Sequence, residues 1–162
     1  MGGATLTIES RKFAGRGRVK FTGHIGKVMN ESAEIAVSFA RSLEADEKFW
    51  TKHDIHIHVP DGATPKDGPS AGITITTALL SLLRDKKIKA GFAMTGEIRL
   101  SGDVLPIGGL REKIVAARRV GIKKVIFPFD NLRDFEELPN DLKKGIKVFA
   151  VKHYSEIEKL LF

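Results

Sequence analysis

The chain has 162 residues, 42% of them apolar and none cysteine, which predicts one globular domain and excludes a disulfide framework or a Cys-ligated metal site. Its longest apolar-leaning run, Ala71–Leu83, is 13 residues with three Thr and one Ser, too short and too polar for a bilayer span of about 20 residues. The net charge of +7 gathers in residues 84–124, where 11 Lys and Arg face 4 Asp and Glu, a block able to attract nucleic acid or an acidic protein surface, though without a pattern of aromatic residues interleaved among the basic ones.

Residues 1–10 lack the charged-then-apolar order of a secretory signal and read as an N-terminal tail or expression remnant, so the folded domain is expected over 11–162. Thr5–Thr22, interrupted by Gly15-Arg16-Gly17, predicts a hairpin. From Lys27 to Leu43 the apolar residues recur at helical spacing. Asp54 to Pro60 alternates strictly, as a half-buried strand does. After the polar loop Asp61–Gly68, an apolar helix is expected from about Pro69, a residue suited to a first helical turn, to Leu83. A strand at Gly91–Thr95 and a short hairpin through Gly102-Asp103 follow. Gly108-Gly109 opens a helix over Leu110–Val120, which Gly121 closes. Val125–Phe127 reads as a buried strand, Leu132–Leu138 as a short helix, Lys147–Val151 as a strand and Ser155–Leu161 as a last helix. This order predicts an α+β or α/β domain.

Nucleotide-binding loops are missing from this chain. The only Gly-Lys pair, Gly26-Lys27, is followed by Val28 and has Phe21 where a phosphate-binding loop requires its first glycine. His56 and His58 share one strand face. Two imidazoles invite a metal, but no third ligand is evident, and ordinary hydrogen bonding is the competing reading. The loop Pro65-Lys66-Asp67-Gly68-Pro69-Ser70-Ala71-Gly72 places Ser70 in the first turn of an apolar helix. Gly68 and Gly72 there would let a substrate backbone approach, and the N–H groups of a helix start suit an oxyanion. Capping the helix is the alternative task for Ser70. Gly68-Pro69-Ser70-Ala71-Gly72 also fits the nucleophile elbow of α/β-hydrolases, but only His153 lies downstream, where that family requires an acid and then a His. A neutral lysine can activate a serine instead. Lys113, beside the inward stripe Leu110, Ile114 and Ala117, is the candidate, with a solvated surface lysine as the alternative.

Residues 22–162 resemble the proteolytic domain of Lon, the ATP-dependent Ser–Lys protease of bacteria and mitochondria. The matching stretches are Thr22-Gly23-His24-Ile25-Gly26-Lys27-Val28-Met29, His56-Ile57-His58-Val59-Pro60, Gly62 through Gly72, Met94-Thr95-Gly96-Glu97 and Leu105 through Lys113. The resemblance implies the α+β Lon protease-domain fold, of a superfamily shared with a ribosomal small-subunit protein domain. It implies a serine endopeptidase with Ser70 as nucleophile and Lys113 as general base. Thr95 would orient the lysine, while His56, His58 and Asp67 would take supporting places and Gly68, Pro69 and Ser70 would supply the backbone around the oxyanion.

No metal or cofactor is expected in this chain, because ATP and Mg belong to the AAA+ ATPase module of the family, which this chain lacks. Implied partners are unfolded or damaged protein and peptide substrates, the ATPase module, and further copies in a hexamer, with no membrane. A cytoplasmic location is expected, or a mitochondrial matrix. The rival expectation is a non-catalytic module that uses the basic block 84–124 to bind nucleic acid or protein.

Overall fold

A computed structural model describes residues 8–23, 25–44, 46–59 and 68–162 of the chain. The fold is α+β, as expected, with helices and small sheets mixed along the chain.

The first sheet joins β1 (Glu9–Ala14), β2 (Val19–Thr22) and β3 (His53–His58) in the order β1-β3-β2. β3 runs antiparallel to β1 and parallel to β2. The expected hairpin between β1 and β2 is therefore not formed, because β3 lies between them. Asp54 explains the arrangement. Its Oδ1 accepts the N–H groups of Arg16 at 2.9 Å and Arg18 at 2.8 Å, pinning the Gly15–Arg18 loop to the start of β3. Those same donors, Arg18 foremost, hold the Asp54 carboxyl below the ordinary aspartate range. A parallel pair needs a long crossover. The connection from β2 to β3 contains α1 (Lys27–Leu43), bounded as its periodicity predicts, and α2 (Glu47–Lys52). The second helix was not foreseen; it buries Trp50, and the Asp46 carboxylate caps it by accepting the Lys48 N–H at 3.0 Å.

The expected helix after the polar loop has two parts, a 3₁₀ turn at Pro69–Ala71 and then α3 (Gly72–Arg84), which packs on α1. The second sheet is all parallel, in the order β4 (Phe92–Met94), β7 (Lys124–Pro128), β8 (Lys147–Val151). Between β4 and β7 come the short hairpin of β5 (Glu97–Ile98) and β6 (Val104–Leu105), formed where expected, and then α4 (Leu110–Arg119). α5 (Leu132–Glu136) and α6 (Asn140–Lys143) lead to β8, and α7 (Tyr154–Leu161) follows it.

Buried apolar side chains form two clusters. The larger joins α1, α3, β3 and α7 through residues such as Ala36, Phe39, Ile55, Ile57, Ile73, Leu79, Tyr154 and Ile157. Thr77 ties it together: its hydroxyl donates to the Ile73 carbonyl at 2.8 Å and accepts the Tyr154 hydroxyl at 2.7 Å. Burial pushes the Tyr154 phenol well above the usual tyrosine range. The smaller cluster sits between α4 and β7 and consists of Leu110, Ile114, Ala117, Val125, Phe127 and Phe135.

Candidate active site

Ser70 lies in the 3₁₀ turn that leads into α3. α3 starts from Ala71 without a side-chain cap, so capping that helix is not the task of Ser70. The turn is held through its backbone. The Ser70 carbonyl accepts the Gly96 N–H at 2.8 Å, Ile73 donates to the Gly96 carbonyl at 3.1 Å, and Thr95 Oγ1 lies 3.5 Å from the Ser70 carbonyl. Thr95 in turn donates its N–H to Ile126 in β7 at 3.0 Å. Gly72 serves this packing and not substrate approach, correcting the expectation from sequence: a Cβ there would stand 2.9 Å from the Ile98 backbone nitrogen. The position that does stay open is Gly68, where a Cβ would meet nothing within 4 Å.

Lys113 sits in the first turn of α4, half-buried, where its N–H donates to the Gly109 carbonyl at 3.3 Å. The inward residues of that helix are Leu110, Ile114, Ala116 and Ala117, the stripe its spacing predicts plus one more alanine. Gly109 takes φ +74 at the N-cap, left-handed backbone that a side chain would strain.

Ser70, Thr95 and Lys113, far apart in sequence, border one cavity of about 510 Å³. Its other walls are mostly apolar, among them Met94, Phe92, Ala116, Val120 and Ile122. A volume of that size accommodates a bound side chain together with the peptide that carries it. Among the described residues, neither Ser70 Oγ nor Lys113 Nζ makes a hydrogen bond or ion pair, so both are available to chemistry.

His56 and His58 do not border this cavity. They meet elsewhere, at the hydroxyl of Thr22, which lies 2.8 Å from His56 Nε2 and 2.6 Å from His58 Nδ1. A hydroxyl has one proton, so it donates to one ring and accepts from the other, coupling the two tautomers. Among the described residues no three His, Cys, Asp or Glu side chains stand together as metal ligands require. Asp67 lies outside the described residues. Pro69 has no N–H, so of the three residues expected around an oxyanion only Gly68 and Ser70 have one to donate.

Asn131 was missed by sequence reading. It is 2% exposed and spends its whole amide: Oδ1 accepts the Ile107 N–H at 2.9 Å, while Nδ2 donates to the Ile107 carbonyl at 2.8 Å and to Asp134 Oδ2 at 2.8 Å. A single Asn before a short helix reads as a cap, and nothing local signals a partner 24 residues away.

Several charges of the basic block are engaged within the fold. Arg84 pairs with Glu44 and Glu158, Arg118 donates to the Leu142 and Lys144 carbonyls, and Lys124 lies over the Phe92 ring. No described helix is long and apolar enough to cross a membrane.

Comparison with known proteins shows the family of the chain. A family model of the Lon protease (S16) C-terminal proteolytic domain matches residues 1–162. The Lon protease of Leptospira interrogans is 55% identical over 162 residues, covering all of this chain and 19% of its own length. The Lon protease of Protochlamydia amoebophila is 56% identical over 167 residues, covering all of this chain and 20% of its own. Lon protease 2 of Hydrogenovibrio crunogenus is 54% identical with the same full coverage. The chain thus spans about a fifth of the length of these curated relatives. With whole-chain similarity added to a serine and a lysine on one apolar cavity, the chain belongs to the family of Lon protease C-terminal proteolytic domains, which are peptidase domains.

Proposed function

We propose that the chain is a serine endopeptidase domain in which Ser70 is the nucleophile and Lys113 its general base. The observation that supports this most is that the two residues, each without a partner among the described residues, border the same apolar-walled cavity. In the reaction, Ser70 Oγ attacks the scissile carbonyl while Lys113 Nζ takes the hydroxyl proton. Backbone N–H groups around Gly68 and Ser70, at the leading end of α3, suit the oxyanion that forms. As the tetrahedral intermediate collapses, Lys113 returns the proton to the leaving amine and an acyl-Ser70 ester remains. A water molecule, deprotonated by Lys113, then releases the acid product and restores the site. Thr95 steadies the turn that carries Ser70.

The substrates we propose are unfolded or damaged proteins and short peptides, since only an extended backbone reaches a cavity of this kind. Force to unfold a folded substrate would come from an AAA+ ATPase module in the longer protein, which alone would use ATP and Mg. Hexameric assembly and a cytosolic setting belong to the same proposal. The basic block used for nucleic acid is not favoured, because several of its charges are engaged within the fold.

A fluorogenic peptide assay tests this reading. Ser70→Ala and Lys113→Ala should each lose about 10³-fold or more in kcat while keeping the wild-type melting temperature. Substantial turnover by folded Lys113→Ala removes the lysine from its role.

A further inference from the structure

Ser70 and Lys113 sit on different elements, and β7 connects the two supports. At Ile126 the strand accepts the Thr95 N–H, and Thr95 and Gly96 hold the Ser70 carbonyl. Five residues further along the chain stands Asn131, which grips Ile107 from both sides of its backbone. Ile107 is followed by Gly108, Gly109 and the first turn of α4, where Lys113 lies. Two consecutive glycines leave this lead-in with the widest backbone freedom of any dipeptide. Beyond that lead-in, α4 is anchored by Leu110 and Ile114, which are buried in the smaller cluster, so the start of the helix is set by packing and by the hold on Ile107 together.

On these grounds, and resting on the Ser70–Lys113 reading above, we infer that Asn131 is a positioning residue for catalysis: by clamping Ile107 it sets where α4 begins and so where Lys113 stands relative to Ser70. Both backbone groups of Ile107 bond to this one side chain, 2.9 Å and 2.8 Å away. Removing the amide frees the lead-in at once. Asp134, which is exposed and touches Asn131 only at its second Nδ2 proton, orients the amide but does not hold Ile107.

Peptidase kinetics and a distance measurement together test the inference. The chain has no cysteine, so paired spin labels at Arg99→Cys and Arg111→Cys, both exposed, report the position of α4 against the β5–β6 hairpin. Asn131→Ala should lower kcat by about 10- to 100-fold with KM within about threefold, the pattern of a lost transition-state alignment. It should also broaden the spin-label distance distribution. Asp134→Ala should change kcat by less than about threefold, since the Ile107 clamp remains. A folded Asn131→Ala protein with wild-type kcat, or with lowered kcat and an unchanged distance distribution, overturns the inference. Should Asn131→Ala not fold, the isosteric Asn131→Asp, which sets a carboxylate oxygen against the Ile107 carbonyl, is read in the same way. Failure of both to fold makes Asn131 a folding residue and also overturns the inference. Lys113→Ala keeps the two readings apart. If it is inactive while Asn131→Ala is normal, only the positioning role falls; if Lys113→Ala is active, the dyad itself falls.

Discussion

The two apolar clusters treat their neighbours by the cavity differently. Ser70 adjoins Ala71 and Ile73, which belong to the larger cluster, and leads into α3, a 13-residue helix buried along most of its length. Lys113 adjoins Ile114, which belongs to the smaller cluster of six buried residues, on a 10-residue helix with one buried stripe. Hydrophobic stabilisation grows with buried area, so the serine side has the larger packing contribution beside the backbone hydrogen bonds of its turn to Gly96. The lysine side depends in addition on a left-handed glycine and on hydrogen bonds to Ile107. Damage to the larger cluster should therefore be felt as lost stability, and damage to the smaller one as lost alignment.

The comparison breaks first where both sides must act together. Combining Ser70→Ala with Lys113→Ala should be barely worse than either change alone, because partners in one step are strongly non-additive; the single losses of about 10³-fold or more already correspond to about 4 kcal/mol. Strictly multiplicative losses in the peptidase assay would mean that the two residues work independently. Next come the clusters themselves. Leu79→Ala, at a fully buried position of the larger cluster, should cost about 2–5 kcal/mol by chemical denaturation yet leave kcat per folded molecule unchanged. Ile114→Ala, equally buried in the smaller cluster, should cost a similar amount and lower kcat as well. Equal effects on kcat would erase the distinction between the two regions.

A smaller effect is expected at Thr95, which bridges the Ser70 turn and β7. Thr95→Val keeps its shape and removes only the 3.5 Å contact of Oγ1 with the Ser70 carbonyl. We expect kcat to fall by about 5- to 30-fold, equivalent to about 1–2 kcal/mol, with little change in melting. The smallest effect concerns Tyr154, the only tyrosine. Its phenol is raised in the folded state, chiefly by burial. The stability from keeping it protonated is therefore complete below the unfolded tyrosine value of about 10 and is lost as pH climbs above that value. Tyr154→Phe should cost about 1 kcal/mol at neutral pH through the lost bond to Thr77 and should melt with a weaker dependence on alkaline pH than the parent. Identical alkaline melting curves would show that the phenol does not ionise on unfolding.

Much of this architecture could be read from residue order, wherever the signal was local. The 17-residue periodicity of α1 and the run Lys147–Val151 give elements with the boundaries expected. The β1–β2 hairpin misled because Gly15-Arg16-Gly17 has the composition of a tight turn, while the partner that separates the strands arrives more than 30 residues later. α2 escaped because a six-residue helix shows too few turns for a period to register. At the site, glycines and a proline around Ser70 marked an unusual loop, and the inward stripe of α4 located Lys113. Asn131 gave no such sign, because its meaning lies wholly in a contact across the fold.

The place of α7 in the fold has a consequence for synthesis. Tyr154, Ile157 and Leu161 complete the larger cluster, although most of that cluster comes from residues 29 to 80. A chain emerging from the ribosome in order displays Ser70 and Lys113, the pair proposed above, before this seal exists. Until α7 docks, α1 and α3 leave an apolar face open. The larger cluster is thus sealed only once residues 154–161 have been made, well after Ser70 and Lys113.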